Sequence, residues 1–333
     1  MTLAPASEDD LVAAIASIVA RPHTRKIRFG VGDDAAVWQP SRSHRSVITT
    51  DALVEGVHFA TDLISWHDIG YRAVAANASD LAAMGARPIL ATVALGLPPT
   101  CGLEDILDLY HGLVAAADAV GLVVVGGDIS RAQQVFLAIA AVGEVRPSAV
   151  AMRSGGRPGD VLAVTGPLGA SRAGLLALRG EVALAADLRE EAVLAYRRPQ
   201  ARVAEGRWFA AGVNLRAMMD CSDGLASDLP RLCARSDVGA VIDAVPVARS
   251  AQAAATALGE DPSAFALAGG EDFELLVAVD PRAFRHIAQR FRVRFGRELA
   301  QVGHLTAERG ALRRRIDGRD EPLLPTGWDH LRQ

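Results

Sequence analysis

Residues 66–97 read WHDIGYRAVAANASDLAAMGARPILATVALGL, and the change of period inside this stretch decides the fold class. Through 66–86 the apolar and small residues recur at helical spacing, and Asn77 and Asp80, three apart, project from one face. From Ile89 the pattern becomes a short apolar run bounded by Pro and Gly, the signature of a strand. Working outward, LEDILDLYHGLVAAADAVG (103–121) repeats the helix pattern and stops at Gly121. GLVVVGGD (121–128), VFLAIAAVGEV (135–145) and, upstream, SVITTD (46–51) read as further strands. The stretch 146–160, RPSAVAMRSGGRPGD, is dense in Pro, Gly, Ser and Arg and marks a domain boundary. A second α/β pattern follows: a strand at VLAVTG (161–166), helices near 170–180 and 199–212, a strand at RAMMD (216–220), a helix from Ser222, strands at 240–245 and 274–280, and a terminal hairpin. Two hairpin-like strand pairs favour α+β layers over a fully doubly wound sheet.

A chain of 333 residues exceeds the size at which a single core usually keeps growing, which agrees with two domains, 1–148 and 149–333. Half of the residues are apolar and 22% are charged, an ordinary globular composition. A net charge of −4 provides no field for a polyanion, so nucleic acid is not an expected partner. The one dense basic run, Arg313–Arg315, reads as a solvated hairpin. Cys101, Cys221 and Cys233 are too few and too far apart for a C-x-x-C site, and a reducing cytoplasm is expected. Ser7 and the acidic residues after it suit the N-cap and first turn of a helix rather than a signal peptide, and no apolar run reaches the length of a membrane span.

The chemistry lies in short acidic motifs where the backbone is thin: GVGDDAAV (30–37, with Asp33 and Asp34), TTDALVEGVHF (49–59, with Asp51, Glu55 and His58), NASDLAAMGA (77–86, with Asp80), GGDISR (126–131, with Asp128), MDCSDGL (219–225, with Asp220 and Asp223) and AGGEDFEL (268–275, with Glu271 and Asp272). Taken singly, each is common turn or cap chemistry. Six of them across both halves point to a hard cation, since magnesium prefers oxygen ligands and is held by a few carboxylates with substrate phosphates. Lys26 is the only lysine and follows no glycine-rich phosphate loop, so neither a P-loop nor a protein-kinase lysine is present. Magnesium and arginine, with Arg131, Arg153 and Arg157 available, must then neutralise any nucleotide phosphates. Ser222 reads as a helix cap, His58 as structural or substrate-facing, and Trp328 as a ring that pins the tail or stacks on a flat ligand.

Those motifs, together with RSGGRPGD (153–160), VTGPLG (164–169) and DCSDGLASDL (220–229), occur in an order that resembles the thiamine-monophosphate kinases. These belong to the superfamily of aminoimidazole ribonucleotide synthetase and selenophosphate synthetase. The resemblance covers nearly the whole chain and implies the two-domain fold of that superfamily. The N-terminal domain would bind ATP and magnesium and form a homodimer through its sheet, and the C-terminal domain would complete the active site. It implies transfer of the ATP γ-phosphoryl group to thiamine monophosphate, in line and without a phosphoenzyme, as the last step to thiamine diphosphate. By the same carry-over, Asp34, Thr49, Thr50, Asp51, Asp80, Asp128, Asp220 and Asp223 match magnesium positions, with Asp51, Asp128, Asp220 and Asp223 catalytic. Tyr110, Gly127, Asp128, Arg153 and Ser222 match ATP contacts, and His58, Glu271 and Trp328 match contacts to thiamine monophosphate. Ile129 and Cys221 depart from the family pattern without removing a carboxylate. A selenophosphate synthetase or hydrogenase-maturation enzyme is disfavoured by the absence of the cysteines they use near one terminus, and a non-catalytic sensor by the intact substrate positions.

Overall fold

The computed structural model describes residues 8–20, 26–31, 34–212 and 214–327. The chain divides into two compact units, one of 1–81 with 86–147 and the other of 82–85 with 148–333. Ser7, the expected cap of the first helix, lies outside the described residues.

The first unit runs α1 (Glu8–Val19), β1 (Ile27–Phe29), β2 (Val37–Trp38), β3 (Arg45–Val54), α2 (Trp66–Ala83), β4 (Arg87–Leu97), α3 (Leu103–Val120), β5 (Val123–Arg131) and β6 (Phe136–Val145). β1 and β2 form a small antiparallel ribbon, and the main sheet has the order β3-β6-β4-β5. β4 and β5 pair in parallel across α3, while the other two pairings are antiparallel. The alternation of β3 puts Val47, Thr49, Asp51 and Leu53 on the more buried face. The opposite face carries a row of small exposed residues in register, Thr50, Ala140 and Thr92.

α2 and α3 meet through glycine. A Cβ on Gly112 would strike the His67 carbonyl and one on Gly70 the Leu109 carbonyl, so both helices lack side chains where their backbones touch. The single lysine is structural here. The Lys26 ammonium is paired with the Glu144 carboxylate, which also accepts the Ser41 hydroxyl and N–H, both at 2.8 Å. Burial pushes the Glu144 carboxyl up, but Lys26 and Ser41 more than reverse this and hold it at about 2.

The second unit continues with β7 (Val161–Val164), α4 (Ala170–Leu178), α5 (Ala186–Arg197), α6 (Val203–Ala210), β8 (Leu215–Cys221), α7 (Leu225–Ser236), β9 (Gly239–Ile242), α8 (Arg249–Leu258), α9 (Pro262–Ala268), β10 (Glu274–Val279), α10 (Phe284–Phe295), β11 (Ala300–Thr306), β12 (Leu312–Ile316) and β13 (Arg319–Pro322). Its strands form one sheet, β13-β12-β9-β11-β7-β10-β8, parallel only between β12 and β9. Mixed pairing in both sheets is the α+β layering read from the sequence. β7, β9 and β10 are buried on both faces, hence their unbroken apolar runs. Leu229 and Leu232 of α7 join the core over this sheet, while Ala173, Ala192, Ala251 and Phe265 pack a second cluster of α4, α5, α8 and α9. The basic run forms the expected hairpin, and each arginine ends on an acid: Arg313 on Glu308, Arg314 on Asp261, Arg315 on Asp243 and Asp320.

One expectation is corrected. No helix starts at Ser222; α7 begins at Leu225, because Gly224 at φ 96 turns the chain first. Ser222 therefore caps nothing, and the cap runs the other way, from a carboxylate within the helix.

Candidate functional site

In the first unit, β3 and α2 bring the expected residues together. The Thr49 hydroxyl donates to Asp80 Oδ2. The Asp51 N–H donates to Asn77 Oδ1 at 3.1 Å, and Asn77 is fixed in turn by donating to the Ala73 carbonyl at 3.0 Å. The helical spacing of Asn77 and Asp80 thus sets the strand that carries Asp51. Thr50, one residue from Thr49, lies on the opposite sheet face by strand alternation.

At the end of β3, Glu55 accepts the Thr61 hydroxyl at 2.6 Å and the Val135 N–H at 3.4 Å, which closes the loop that holds His58. The Val54 N–H donates to His58 Nδ1 at 3.1 Å. In a neutral ring this leaves the proton on Nε2. Buried Arg72 donates to the His58 carbonyl at 3.5 Å.

Asp128 is exposed, with the Ser130 hydroxyl donating to it at 2.9 Å. Gly127 must be glycine because a Cβ there would meet the Val93 carbonyl. Asp34 is exposed. Tyr110 is buried in α3, and burial pushes its hydroxyl to about 12. Asp33 lies outside the described residues.

In the second unit, Asp220 stands next to the end of β8, and Ser222 and Asp223 lie in the turn between β8 and α7. Asp220 is buried, and Ser222 and Asp223 are half-buried. Beside them runs the segment 271–273, whose Glu271 and Phe273 have φ of 62° and 49°. The Glu271 N–H donates to the Ser222 carbonyl at 2.7 Å and the Phe273 N–H to the Cys221 carbonyl at 3.0 Å. Two sequence motifs 50 residues apart are thereby joined.

Asp272 turns away and caps α4, accepting the N–H of Gly169 at 2.7 Å and of Ser171 at 3.3 Å. Burial outweighs those donors and raises its carboxyl to about 7. Arg153 has an exposed side chain, and its carbonyl accepts the Ser236 hydroxyl at 2.7 Å. Trp328 lies outside the described residues. Its neighbour Gly327 donates to the Ser227 hydroxyl oxygen at 3.0 Å, and a Cβ on Gly327 would collide with the Asp223 carbonyl.

The site has members that motif reading passed over. Asp228, fully buried, accepts the N–H groups of Ser222 and Asp223 at 3.0 and 3.1 Å. Arg231 Nη1 lies 2.8 Å from Asp228 and 2.5 Å from Asp223. Burial first, then the charges of Asp220 and Asp223, raise the Asp228 carboxyl to about 7 against the pull of Arg231. The signal was the second aspartate of SDGLASD, which reads equally as an ordinary first-turn acid.

Among the described residues no three His, Cys, Asp or Glu side chains gather closely enough to hold a metal by themselves. The donors present are carboxylates and hydroxyls, suited to a cation that shares its coordination with water and phosphate. Cys221 is fully buried beside Asp220 and Asp228, and its thiol is pushed well above its usual range, so it offers no soft ligand. The residues fit magnesium.

Residues 32–145 match the family described as AIR synthase related protein, N-terminal domain, and residues 157–314 match the corresponding C-terminal domain. The chain is 39% identical over 307 residues to a thiamine-monophosphate kinase of Synechococcus elongatus, covering 90% of this chain and 91% of the other. In structure it is similar to a thiamine-monophosphate kinase of Stenotrophomonas maltophilia, with TM-score 0.81 and 32% identity over 95% of this chain and 98% of that one. It is also similar to AaThiL complexed with AMPPCP and TMP, with TM-score 0.76 and 28% identity over 99% of this chain and 100% of that one.

Proposed function

Because the chain belongs to the AIR synthase related family and, within it, to the thiamine-monophosphate kinases, we propose that it transfers the γ-phosphoryl group of ATP to thiamine monophosphate. The products are ADP and thiamine diphosphate, and the reaction closes thiamine diphosphate synthesis. The observation that carries the reading is the fate of charge. The only lysine is committed to Glu144, so the phosphates of two anionic substrates must be neutralised by cations held on carboxylates and by arginine.

In the first unit Asp34, Thr49, Asp51, Asp80 and Asp128 would hold magnesium through their side chains, and in the second Asp220 and Asp223; Thr50, whose side chain faces the other side of the sheet, would join them through its main-chain carbonyl. Magnesium held there would supply positive charge to offset that of the substrate phosphates. Tyr110, Gly127, Asp128, Arg153 and Ser222 contact ATP. His58, with Nε2 as its donor, Glu271 and Trp328 orient the thiamine phosphate; the packing of Gly327 against Asp223 supports a tail that reaches this turn. The acceptor phosphate is already ionised at neutral pH, so attack is direct and in line, and no base of tuned pKa is required.

Residues 1–148 serve as the ATP, magnesium and dimerisation domain and 149–333 as the domain completing the site. The exposed row Thr50, Ala140 and Thr92 supports a homodimer joined through the N-terminal sheet. The proposed setting is the cytoplasm, without nucleic-acid or membrane partners; among the described residues no helix is long and apolar enough to cross a membrane.

The test is to incubate the purified protein with ATP, magnesium and thiamine monophosphate and to separate the products by chromatography. ADP and thiamine diphosphate should form in equal amounts and cease with EDTA. ADP release that ignores the acceptor would overturn the reading.

A further inference from the structure

The turn from Asp220 to Gly224 has an internal support whose two members, Asp228 and Arg231, are not themselves among the expected substrate or magnesium positions. β8 ends at Cys221, and Gly224 at φ 96 reverses the chain before α7 begins. A turn this tight leaves the N–H groups of Ser222 and Asp223 without strand or helix partners, and buried donors must be met. Asp228 Oδ2 accepts both, at 3.0 and 3.1 Å, from a side chain that is fully buried. Its other oxygen takes Arg231 Nη1 at 2.8 Å, and that same nitrogen reaches Asp223 Oδ2 at 2.5 Å.

The carboxylate is not spent on its own helix. The first-turn N–H groups of Ser227 and Asp228 go to the Gly224 carbonyl. Asp228 instead fixes two backbone units of the turn, and through Arg231 it fixes the direction of one of its side chains. Burying a carboxylate beside Asp220 and Asp223 is costly for stability, which is poor economy for a structural contact and fits a site that must be held rigid.

We propose that Asp228 and Arg231 form a brace that sets the conformation of the turn 220–223, so that both are positioning residues for nucleotide and magnesium although neither contacts them. This rests on the assignment of Ser222 to ATP and of Asp220 and Asp223 to magnesium. Loss of the brace frees Asp223 to leave its place, and the effect falls on magnesium and ATP rather than on thiamine monophosphate.

The variants are Asp228→Asn, Arg231→Gln and Arg231→Lys, with Asp223→Asn as the reference. Asp228→Asn keeps a carbonyl oxygen for the two N–H groups but loses the pairing with Arg231. Two quantities are read: the magnesium-dependent thermal shift without substrates, and the separate KM values at saturating co-substrate. Asp228→Asn and Arg231→Gln should each raise the half-saturating magnesium concentration and the KM for ATP about fivefold or more and lower kcat about tenfold. The KM for thiamine monophosphate should stay within about twofold. Arg231→Lys should recover part of the loss, since it restores the charge without the guanidinium fork.

Should Asp228→Asn fail to fold, Arg231→Gln decides, because the Arg231 side chain is 44% exposed and its loss leaves the core intact. Wild-type magnesium and ATP dependence in Arg231→Gln, or a uniform loss of active protein with unchanged constants in both variants, would overturn the brace. If Asp223→Asn shifts magnesium dependence while these two do not, the brace alone fails. If Asp223→Asn also changes nothing, the assignment of the metal ligand fails with it.

Discussion

Gly112→Ala is the sharpest test of how the first unit places its acidic residues. A methyl carbon at Gly112 meets the His67 carbonyl oxygen, and it would lie 2.6 Å from the carbonyl carbon and 2.9 Å from the His67 Cα. Two carbons rest at about 3.5 Å or more, so α2 and α3 must separate by roughly 1 Å. The obstacle is main chain on both sides and cannot rotate away. Overpacking of this kind costs about 3 kcal/mol, the upper end of its usual span. Replacing a mid-helix glycine by alanine returns about 1 kcal/mol. The net loss of about 2 kcal/mol corresponds to a fall of about 4–8 °C in the melting temperature of this unit, followed by calorimetry. Because α2 also carries Asn77 and Asp80, kcat should fall by about tenfold or more even where the protein remains folded. A melting temperature equal to or above that of the wild type, which helix propensity alone would give, would refute the argument.

Lys26→Met should destabilise the first unit by about 1–3 kcal/mol in denaturant titrations without altering KM for either substrate, since Glu144 is 3% exposed and, among the described residues, keeps Ser41 and, at 3.5 Å, Arg87. A raised KM for ATP would instead make Lys26 a phosphate ligand. Glu144 also sets an acid limit: its folded carboxyl, held at about 2, lies below its unfolded value near 4.5. The stabilisation it provides is therefore complete above that unfolded value and lost as pH falls towards 2; stability that is flat across this window would contradict it. Asp51→Asn should nearly abolish turnover while the melting temperature changes little, because Asn77 bonds the main chain of Asp51 and the substitution removes ligand charge only. Normal turnover with normal magnesium dependence in that variant would remove Asp51 from the site.

What was legible in the sequence was whatever local period or composition controls. The switch from helical to strand spacing after Ala86 placed α2 and β4, and Gly121 ended α3 in a left-handed cap as expected, at φ 73. The absence of a phosphate-binding lysine was readable, but its partner was not, for Glu144 is 118 positions away. Nothing local marks Gly70 and Gly112 as the positions where two helix backbones meet. Asp272 and Glu271 looked equivalent in GGEDF. Positive φ at Glu271 and Phe273 separates them, sending Asp272 to the start of α4. Asp228 was hidden for a related reason: an acid in the first turn of a helix is so ordinary that only the geometry reveals which N–H groups it serves.

The central claim is that the terminal phosphate of ATP ends on the phosphate of thiamine monophosphate. Incubating the wild-type protein with ATP labelled with phosphorus-32 at the γ position, magnesium and thiamine monophosphate tests it most directly. Label should appear in thiamine diphosphate one for one with ADP, with none retained on the protein after denaturation. Label released as inorganic phosphate, or thiamine diphosphate formed without label, would contradict it.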